Sequence, residues 1–285
     1  MNLSHTNRFV LVPTDFTPVT KNALNHALVV AKTFDLEIIL LHVINRETRS
    51  KVGKDNTEAK VEEQLKVLAD EVLSRDNLKV ICLYREGSIF DMIEAVAREY
   101  KPQFMVLGTH GKKGLQYLFG SYALKVISQS PCPVIVVQEK PFPEHGFQRI
   151  VFPIGLHTEA RQQVLYAVLS HGFFQSEIMV FVQLSREPGE VTKLNVITAQ
   201  IQEEFRKHGV RHSITKAENT SDFGSQLLHF SVSRNADMIM MMTDSVIDNP
   251  GFDNSSWSEK LMFNTAQIPV LCINPVYLGQ IHYRL

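Results

Sequence analysis

The chain has little of several features that mark particular classes of protein. Its 285 residues include three cysteines and one tryptophan, and its formal net charge is −1. A near-neutral chain gives no electrostatic reason to expect a nucleic acid or an anionic membrane as partner. No apolar run approaches the ~20 residues that span a bilayer, and the start lacks a basic segment followed by a long apolar stretch. We therefore expect a cytoplasmic protein that binds neither nucleic acid nor membrane.

The cysteines are few, odd in number and far apart. Cys82, Cys132 and Cys272 each lie among apolar neighbours. Free cysteine is among the residue types most often buried, and thiols stay reduced in the cytosol. The pattern predicts three buried free thiols rather than a disulfide or a CxxC metal site.

Two common nucleotide-binding signatures are missing as well. No Lys-Ser or Lys-Thr follows a glycine at the spacing of a Walker A loop, and no GxGxxG follows the first apolar run. A phosphate site in this chain would need a different loop.

The chain contains an internal repeat. Residues 8–44 and 149–184 share an apolar run, a proline, a turn, a helical stretch and a second apolar run that opens with Glu-Ile. Matching positions lie 140 or 136 residues apart: Pro13 with Pro153, Glu37 with Glu177, and Pro133 with Pro269. A period this long indicates duplication of a whole domain, with the Pro- and Gly-containing stretch 139–148 as linker. We predict domains at 1–142 and 143–285.

Apolar runs and helical patterns alternate in the first half. Continuous apolar runs occur at 8–13, 37–44, 78–84, 103–108 and 133–138. Helical spacing of apolar residues occurs between them, at 18–34, 57–74, 88–100 and 116–129. Continuous runs are typical of parallel strands that are buried on both faces. The sequence predicts an α/β protein of two tandem doubly wound domains, each a five-stranded, mainly parallel sheet with helices on both faces.

Ligands of such sheets bind beyond the carboxyl ends of the strands. Asp15 follows the first apolar run. Its carboxylate can accept hydrogen bonds from a ligand, or Asp15 or Thr17 can serve as the N-cap of the helix that follows. Both interpretations stay open on this fragment alone.

A glycine-rich stretch follows the fourth apolar run. Gly108, Gly111 and Gly114 come within seven residues, and Gly120 and Ser121 then open the last helix. Glycine lets backbone N–H groups approach an anion closely, and a helix start adds unpaired N–H groups and a favourable dipole. The stretch therefore predicts a phosphate cradle.

This combination resembles the ATP-binding members of the universal stress protein family, which carry an Asp after the first strand and a motif of the form G-x2-G-x9-G-[S/T]. Asp15 matches the first element, and Gly108, Gly111, Gly120 and Ser121 match the second. Eight residues rather than nine separate Gly111 from Gly120, so this loop is one residue shorter than the family pattern.

The resemblance implies an adenine-nucleotide site. ATP is the expected ligand, with AMP or another adenine nucleotide as alternatives and Mg²⁺ as a companion ion. Asp15 would meet the adenine or the ribose, and the backbone of Val43 would bond adenine. The residues implied around the ligand are Pro13, Thr14, Asp15, Val43, Leu107, Gly108, His110, Gly111, Gly120, Ser121 and Tyr122.

The second half lacks these residues at matching places. Carboxylates at Asp244, Asp248 and Asp253 would repel phosphates. The replacements are Gly155 for Asp15, Met242 for Gly108, Asp244 for His110, Ser245 for Gly111, Ser256 for Gly120 and Trp257 for Ser121. We expect a degenerate domain, so that only the first domain holds nucleotide.

The resemblance also implies that the last strands of the two halves pair as an internal pseudo-dimer; a homodimer of the whole chain and a protein partner are further expectations. Three functions fit: a nucleotide-dependent stress sensor or regulator, an ATP-hydrolysing or nucleotidyl-transferring enzyme of the related adenine-nucleotide α-hydrolase fold, and a nucleotide-free scaffold. No carboxylate near His110 in the sequence supplies a general base. The sequence therefore predicts slow ATP hydrolysis at most and no catalytic residue.

Overall fold

A computed structural model describes residues 8–53, 55–109, 120–156, 160–243 and 257–275. The chain divides into two units between Phe142 and Pro143. Strands and helices alternate in both units, and the paired strands within each unit run parallel. The α/β prediction is confirmed.

The first unit contains a sheet with the strand order β3-β2-β1-β4-β5. Its strands are β1 (Phe9–Pro13), β2 (Glu37–Ile44), β3 (Val80–Glu86), β4 (Phe104–Gly108) and β5 (Val134–Val137). Its helices are α1 (Pro18–Phe34), α2 (Arg46–Val52), α3 (Thr57–Asp76), α4 (Ile89–Tyr100) and α5 (Gly120–Gln129).

The second unit repeats the arrangement with the strand order β10-β9-β6-β7-β8. Its strands are β6 (Arg149–Ile154), β7 (Glu177–Val182), β8 (His212–Lys216), β9 (Met238–Met242) and β10 (Val270–Ile273). Its helices are α6 (Ala160–Phe174), α7 (Pro188–Lys207), α8 (Phe223–Ser233) and α9 (Trp257–Met262).

Burial explains why the strands read as continuous apolar runs. Every residue of β4, β5, β9 and β10 is buried, which requires cover on both faces of the sheet. The third run is the exception, since β3 begins at Val80 rather than at position 78 and lies at the edge of its sheet.

The position of β3 at the edge of the sheet also explains why one prediction about the cysteines is wrong. Cys132 and Cys272 are buried free thiols, but Cys82 on β3 is exposed. The apolar neighbours of Cys82 in the sequence suggested burial, whereas a strand with one open edge and one partly covered face leaves its side chains accessible.

One helix was not predicted. The seven residues of α2 begin after Asn45, whose side chain caps the helix by accepting a hydrogen bond from Thr48 N at 2.9 Å. Two turns carry too few apolar positions for a periodic signal. No helix among the described ranges is long and apolar enough to cross a membrane.

The strand order creates a crevice between β1 and β4. The chain continues from β1 to β2 on one side, while β4 lies on the other side and pairs with β1 only at Val10–Phe104 and Leu11–Met105. Beyond Leu11 no further pair joins these two strands. The carboxyl ends of strands on either side of such a switch point are where doubly wound sheets bind ligands.

Candidate functional site

A cavity of about 130 Å³ lies at the carboxyl ends of β1, β2 and β4. Its apolar lining comes from Leu41 and Val43 on β2, Ile89 and Ile93 on α4, and Leu107 on β4. A small apolar cavity ringed by a few polar groups is the usual form of a small-molecule site.

The cavity brings together widely separated residues that the sequence analysis named. Six of them line it: Pro13, Thr14, Asp15, Val43, Leu107 and Gly108. Gly120, Ser121 and Tyr122 form the first turn of α5. His110 and Gly111, with the rest of the glycine-rich segment up to position 119, lie outside the described residues, as do Asp244, Asp248 and Asp253.

The register of the sheet directs the backbone of Val43 toward the cavity. The ladder between β1 and β2 ends at the pair Pro13–Leu41, where Thr14 N donates to Leu41 O at 2.8 Å. Residues two apart on a strand present their N–H and C=O groups to the same side. Val43 therefore presents a hydrogen-bond donor and an acceptor side by side, at a level where β1 has already ended.

The side chain of Asp15 supports the start of α1. Its Oδ1 accepts hydrogen bonds from Thr17 N at 3.0 Å, from Thr17 Oγ1 at 2.6 Å and from Thr20 Oγ1 at 3.0 Å. Within the described residues, no hydrogen bond reaches Oδ2. The N-cap of α1 is Thr17, whose side chain makes no capping hydrogen bond. Asp15 orders the turn before it and lies in the lining of the cavity.

Gly108 allows β4 to approach α1. A Cβ at position 108 would lie 2.9 Å from Val19 O and 3.2 Å from Thr20 Cα, closer than real Cβ atoms tolerate. The glycine therefore has a packing role at the crevice, whatever it does for a ligand.

The sequence analysis missed His42 and Phe16, which form one wall of the site. The rings stack with centroids 4.6 Å apart, and Phe16 has φ of 66°, which is unusual for a bulky residue. His42 is buried, and its Nδ1 donates to Thr14 O at 2.8 Å. A histidine inside the apolar run EIILLHVI was the available signal for this residue.

Burial lowers the pKa of His42 below its usual value of 6.5. The hydrogen bond to Thr14 O and the negative charge of Asp15 act in the opposite direction, while the charge of Lys51 on α2 lowers the pKa further. We conclude that His42 is neutral at pH 7, with its hydrogen on Nδ1 because a carbonyl oxygen can only accept.

Comparison with known proteins identifies the family. Residues 6–138 match the Universal stress protein family. A universal stress protein from Methanocaldococcus jannaschii, MJ0531, is 30% identical over 138 residues, which cover 46% of this chain and 81% of that protein. The chain belongs to the universal stress protein family.

Two solved structures of the family illustrate the extent of the similarity. The universal stress protein of Archaeoglobus fulgidus covers 94% of this chain and 98% of its own, with 20% identity and a TM-score of 0.74, so both halves share its fold. A family protein from Arabidopsis thaliana, whose crystal structure has AMP bound, covers 46% of this chain and 92% of its own, with 19% identity and a TM-score of 0.36.

The second unit of this universal stress protein differs at the place that corresponds to the cavity. Phe181 on β7 takes the position of Leu41, and Phe223 at the start of α8 takes that of Ile89. The two phenyl rings stack 5.7 Å apart, and Phe230 stacks on Phe181 at 4.7 Å. The second unit thus has stacked aromatic rings at the positions where the first unit has Leu41 and Ile89.

Proposed function

We propose that the first unit binds an adenine nucleotide, ATP or AMP, and that this universal stress protein acts as a nucleotide-dependent sensor or regulator. The observation that carries the proposal is the backbone edge of Val43, a donor beside an acceptor facing an apolar cavity. The 6-amino group of adenine donates a hydrogen bond and the adjacent ring nitrogen accepts one. The two edges are complementary.

The apolar side chains around Val43 would hold the purine ring. Leu41 and Leu107 are buried, and Ile89 and Ile93 extend the same surface. A flat base with a polar edge gains from burial of its faces provided that the edge keeps its hydrogen bonds.

The sugar and phosphates would extend from this cavity toward α5. Asp15 would accept a hydrogen bond from the sugar or base, and the first turn of α5, Gly120 to Tyr122, would supply backbone N–H groups to phosphate. His110 and Gly111 belong to the same proposed cradle by family resemblance. Mg²⁺ would accompany ATP as a counterion.

We further propose one nucleotide per chain. Support comes from Phe181 and Phe223, which stack where the first unit has its cavity, and from Met242 and Gly155 in the places of Gly108 and Asp15. The second unit then serves as a structural or partner-binding half. The internal pseudo-dimer, a protein partner and a cytoplasmic location stay predictions.

Binding without rapid turnover fits the site. Asp15 Oδ1 is occupied by three donors, and both ring nitrogens of His42 lie within hydrogen-bond distance of Thr14 and Thr48. These contacts commit Asp15 Oδ1 and both ring nitrogens of His42 to neighbouring residues, so we expect slow hydrolysis at most.

Calorimetric titration with ATP and AMP tests the proposal. We expect one site per chain in the wild type and at least a tenfold loss of affinity in Ile89→Phe, which copies the residue of the second unit into the cavity. Leu73→Phe on the exposed surface of α3 is the matched control and should bind as the wild type does.

Three outcomes of these titrations would contradict the proposal. Two sites per chain would overturn the single-site assignment. No binding of either nucleotide by the wild type would remove the proposed function, and equal affinity of Ile89→Phe and the wild type would place the ligand elsewhere.

A further inference from the structure

The hydroxyl of Thr48 lies between three hydrogen-bond acceptors. Its Oγ1 is 3.1 Å from His42 Nε2, 3.2 Å from Asn45 Oδ1 and 3.3 Å from Val43 O. A threonine hydroxyl carries one hydrogen and can donate to only one acceptor at a time. Which acceptor receives this hydrogen determines whether Val43 O already accepts a hydrogen bond from Thr48.

We propose that His42 is a specificity-determining residue that acts through Thr48: it takes the Thr48 hydrogen and so leaves the carbonyl oxygen of Val43 available to an amino group on the bound base. The inference rests on the proposed adenine site and concerns what makes that site select a 6-amino purine.

The neutral form of His42 suits this role. Because Nδ1 donates to Thr14 O, Nε2 carries a lone pair and is the nearest of the three acceptors to the Thr48 hydroxyl. Asn45 Oδ1 already accepts from Thr48 N. A neutral imidazole nitrogen is also a stronger acceptor than an amide oxygen, so we assign the Thr48 hydrogen to Nε2, which leaves Val43 O with both lone pairs for a ligand.

Protonation of His42 reverses the arrangement. Nε2 then carries a hydrogen and donates to Thr48 Oγ1, whose own hydrogen must turn to Val43 O or Asn45 Oδ1. A hydrogen bond from Thr48 takes one of the two lone pairs of Val43 O and weakens the bond that this oxygen accepts from the amino group of the base. Selectivity for a 6-amino purine should fall as His42 becomes charged.

The surroundings of His42 keep this protonation out of the neutral range. Burial lowers its pKa below 6.5; the carboxylate of Asp15 favours the charged form, and the ammonium group of Lys51 opposes it. Lys51 is in turn paired with Glu47 at 2.8 Å on the same helix. Lys21 and Glu63 lie on the outer side of Phe16, where they line a second cavity with that ring.

The test compares AMP with purine riboside 5′-monophosphate, which lacks the 6-amino group but has the same sugar and phosphate. The ratio of their dissociation constants cancels titration of the phosphate, and it isolates the amino contact at pH values above the one at which the adenine ring itself takes up a proton. For the wild type we expect this preference for AMP to fall threefold to tenfold, about the worth of one hydrogen bond, as pH is lowered through the pKa of His42.

Variants distinguish the proposed hydrogen-bond relay, from His42 through Thr48 to Val43 O, from a merely structural role of His42. His42→Asn keeps a donor for Thr14 O but has no acceptor within reach of Thr48, so the preference for AMP should be low and independent of pH. Adding Thr48→Val in this background removes the competing hydroxyl and should restore the preference. His229→Asn and Thr192→Val, both exposed in the second unit, are the matched controls.

A measurement on the wild type covers the case in which His42→Asn fails to fold. Since binding and protonation are linked, saturating AMP should lower the pKa of His42 measured by NMR, and purine riboside 5′-monophosphate should lower it less. The relay would be overturned if the wild type preferred AMP equally at all pH values, or if the pKa of His42 were the same with both ligands bound. Failure of both ligands to bind would instead count against the nucleotide site itself.

Discussion

The backbone of Gly108 lies so close to Val19 that a methyl group at position 108 would come within 2.9 Å of the Val19 carbonyl oxygen. This close approach joins the end of β4 to the first turn of α1. Leu107 and Gly108 line the cavity, as do residues 13–16 before α1, so the approach connects two parts of the lining.

Substituting Gly108 by alanine should destabilise the first unit. Because the nearest atoms are backbone atoms that cannot move aside cheaply, we expect Gly108→Ala to lower the free energy of unfolding by about 1–3 kcal/mol. Urea denaturation measures the change. Gly172→Ala is the control, since a methyl group there meets no atom within 4 Å and should stabilise helix α6 by about 0.5–1 kcal/mol. Equal effects of the two substitutions would contradict the close approach.

Asp15 should contribute to stability through its acceptor oxygen rather than its charge. Asp15→Ala removes the common acceptor of Thr17 and Thr20, and we expect a loss of about 1–2 kcal/mol in thermal or urea unfolding. Asp15→Asn retains an oxygen at the same place and should lose less than half as much. If Asp15→Asn lowers the free energy of unfolding as much as Asp15→Ala does, the negative charge rather than the hydrogen-bond geometry stabilises the fold.

His26 should make the stability of the first unit depend on pH. Burial lowers its pKa from 6.5 to about 4, although its Nε2 donates to Lys140 O at 3.2 Å. Between these two values the unfolded chain binds a proton that the folded chain does not. The stabilisation is therefore complete above pH 6.5 and is lost as pH falls toward 4, by about 3 kcal/mol in all.

The comparison of wild type with His26→Gln isolates this contribution. Glutamine can keep a donor near Lys140 O but does not titrate, so the variant should lose less stability than the wild type between pH 7 and 5, a range chosen to lie mostly above the titration of carboxylates. Urea denaturation at several pH values measures both slopes. Identical slopes would show that His26 does not account for the dependence.

The predicted elements show which level of structure local sequence can specify. Runs such as 37–44 and 103–108 coincide with β2 and β4 because a strand buried on both faces must be apolar throughout. The predicted start of β3 and the predicted burial of Cys82 were wrong. Both depend on the position of β3 at the edge of the sheet, which the apolar run alone does not indicate. The short helix α2 depends on a single capping contact and left no periodic signal.

The sequence by itself indicated the internal repeat, the α/β class and the proximity of Asp15, Val43 and Gly108, because carboxyl ends of parallel strands meet at one edge of the sheet. Only the tertiary structure decided how the site is built. Stacking of Phe16 on His42, and of Phe223 on Phe181 in the second unit, joins segments far apart in the chain. Packing between such segments depends on the shapes of all the surrounding side chains, and no local pattern encodes it.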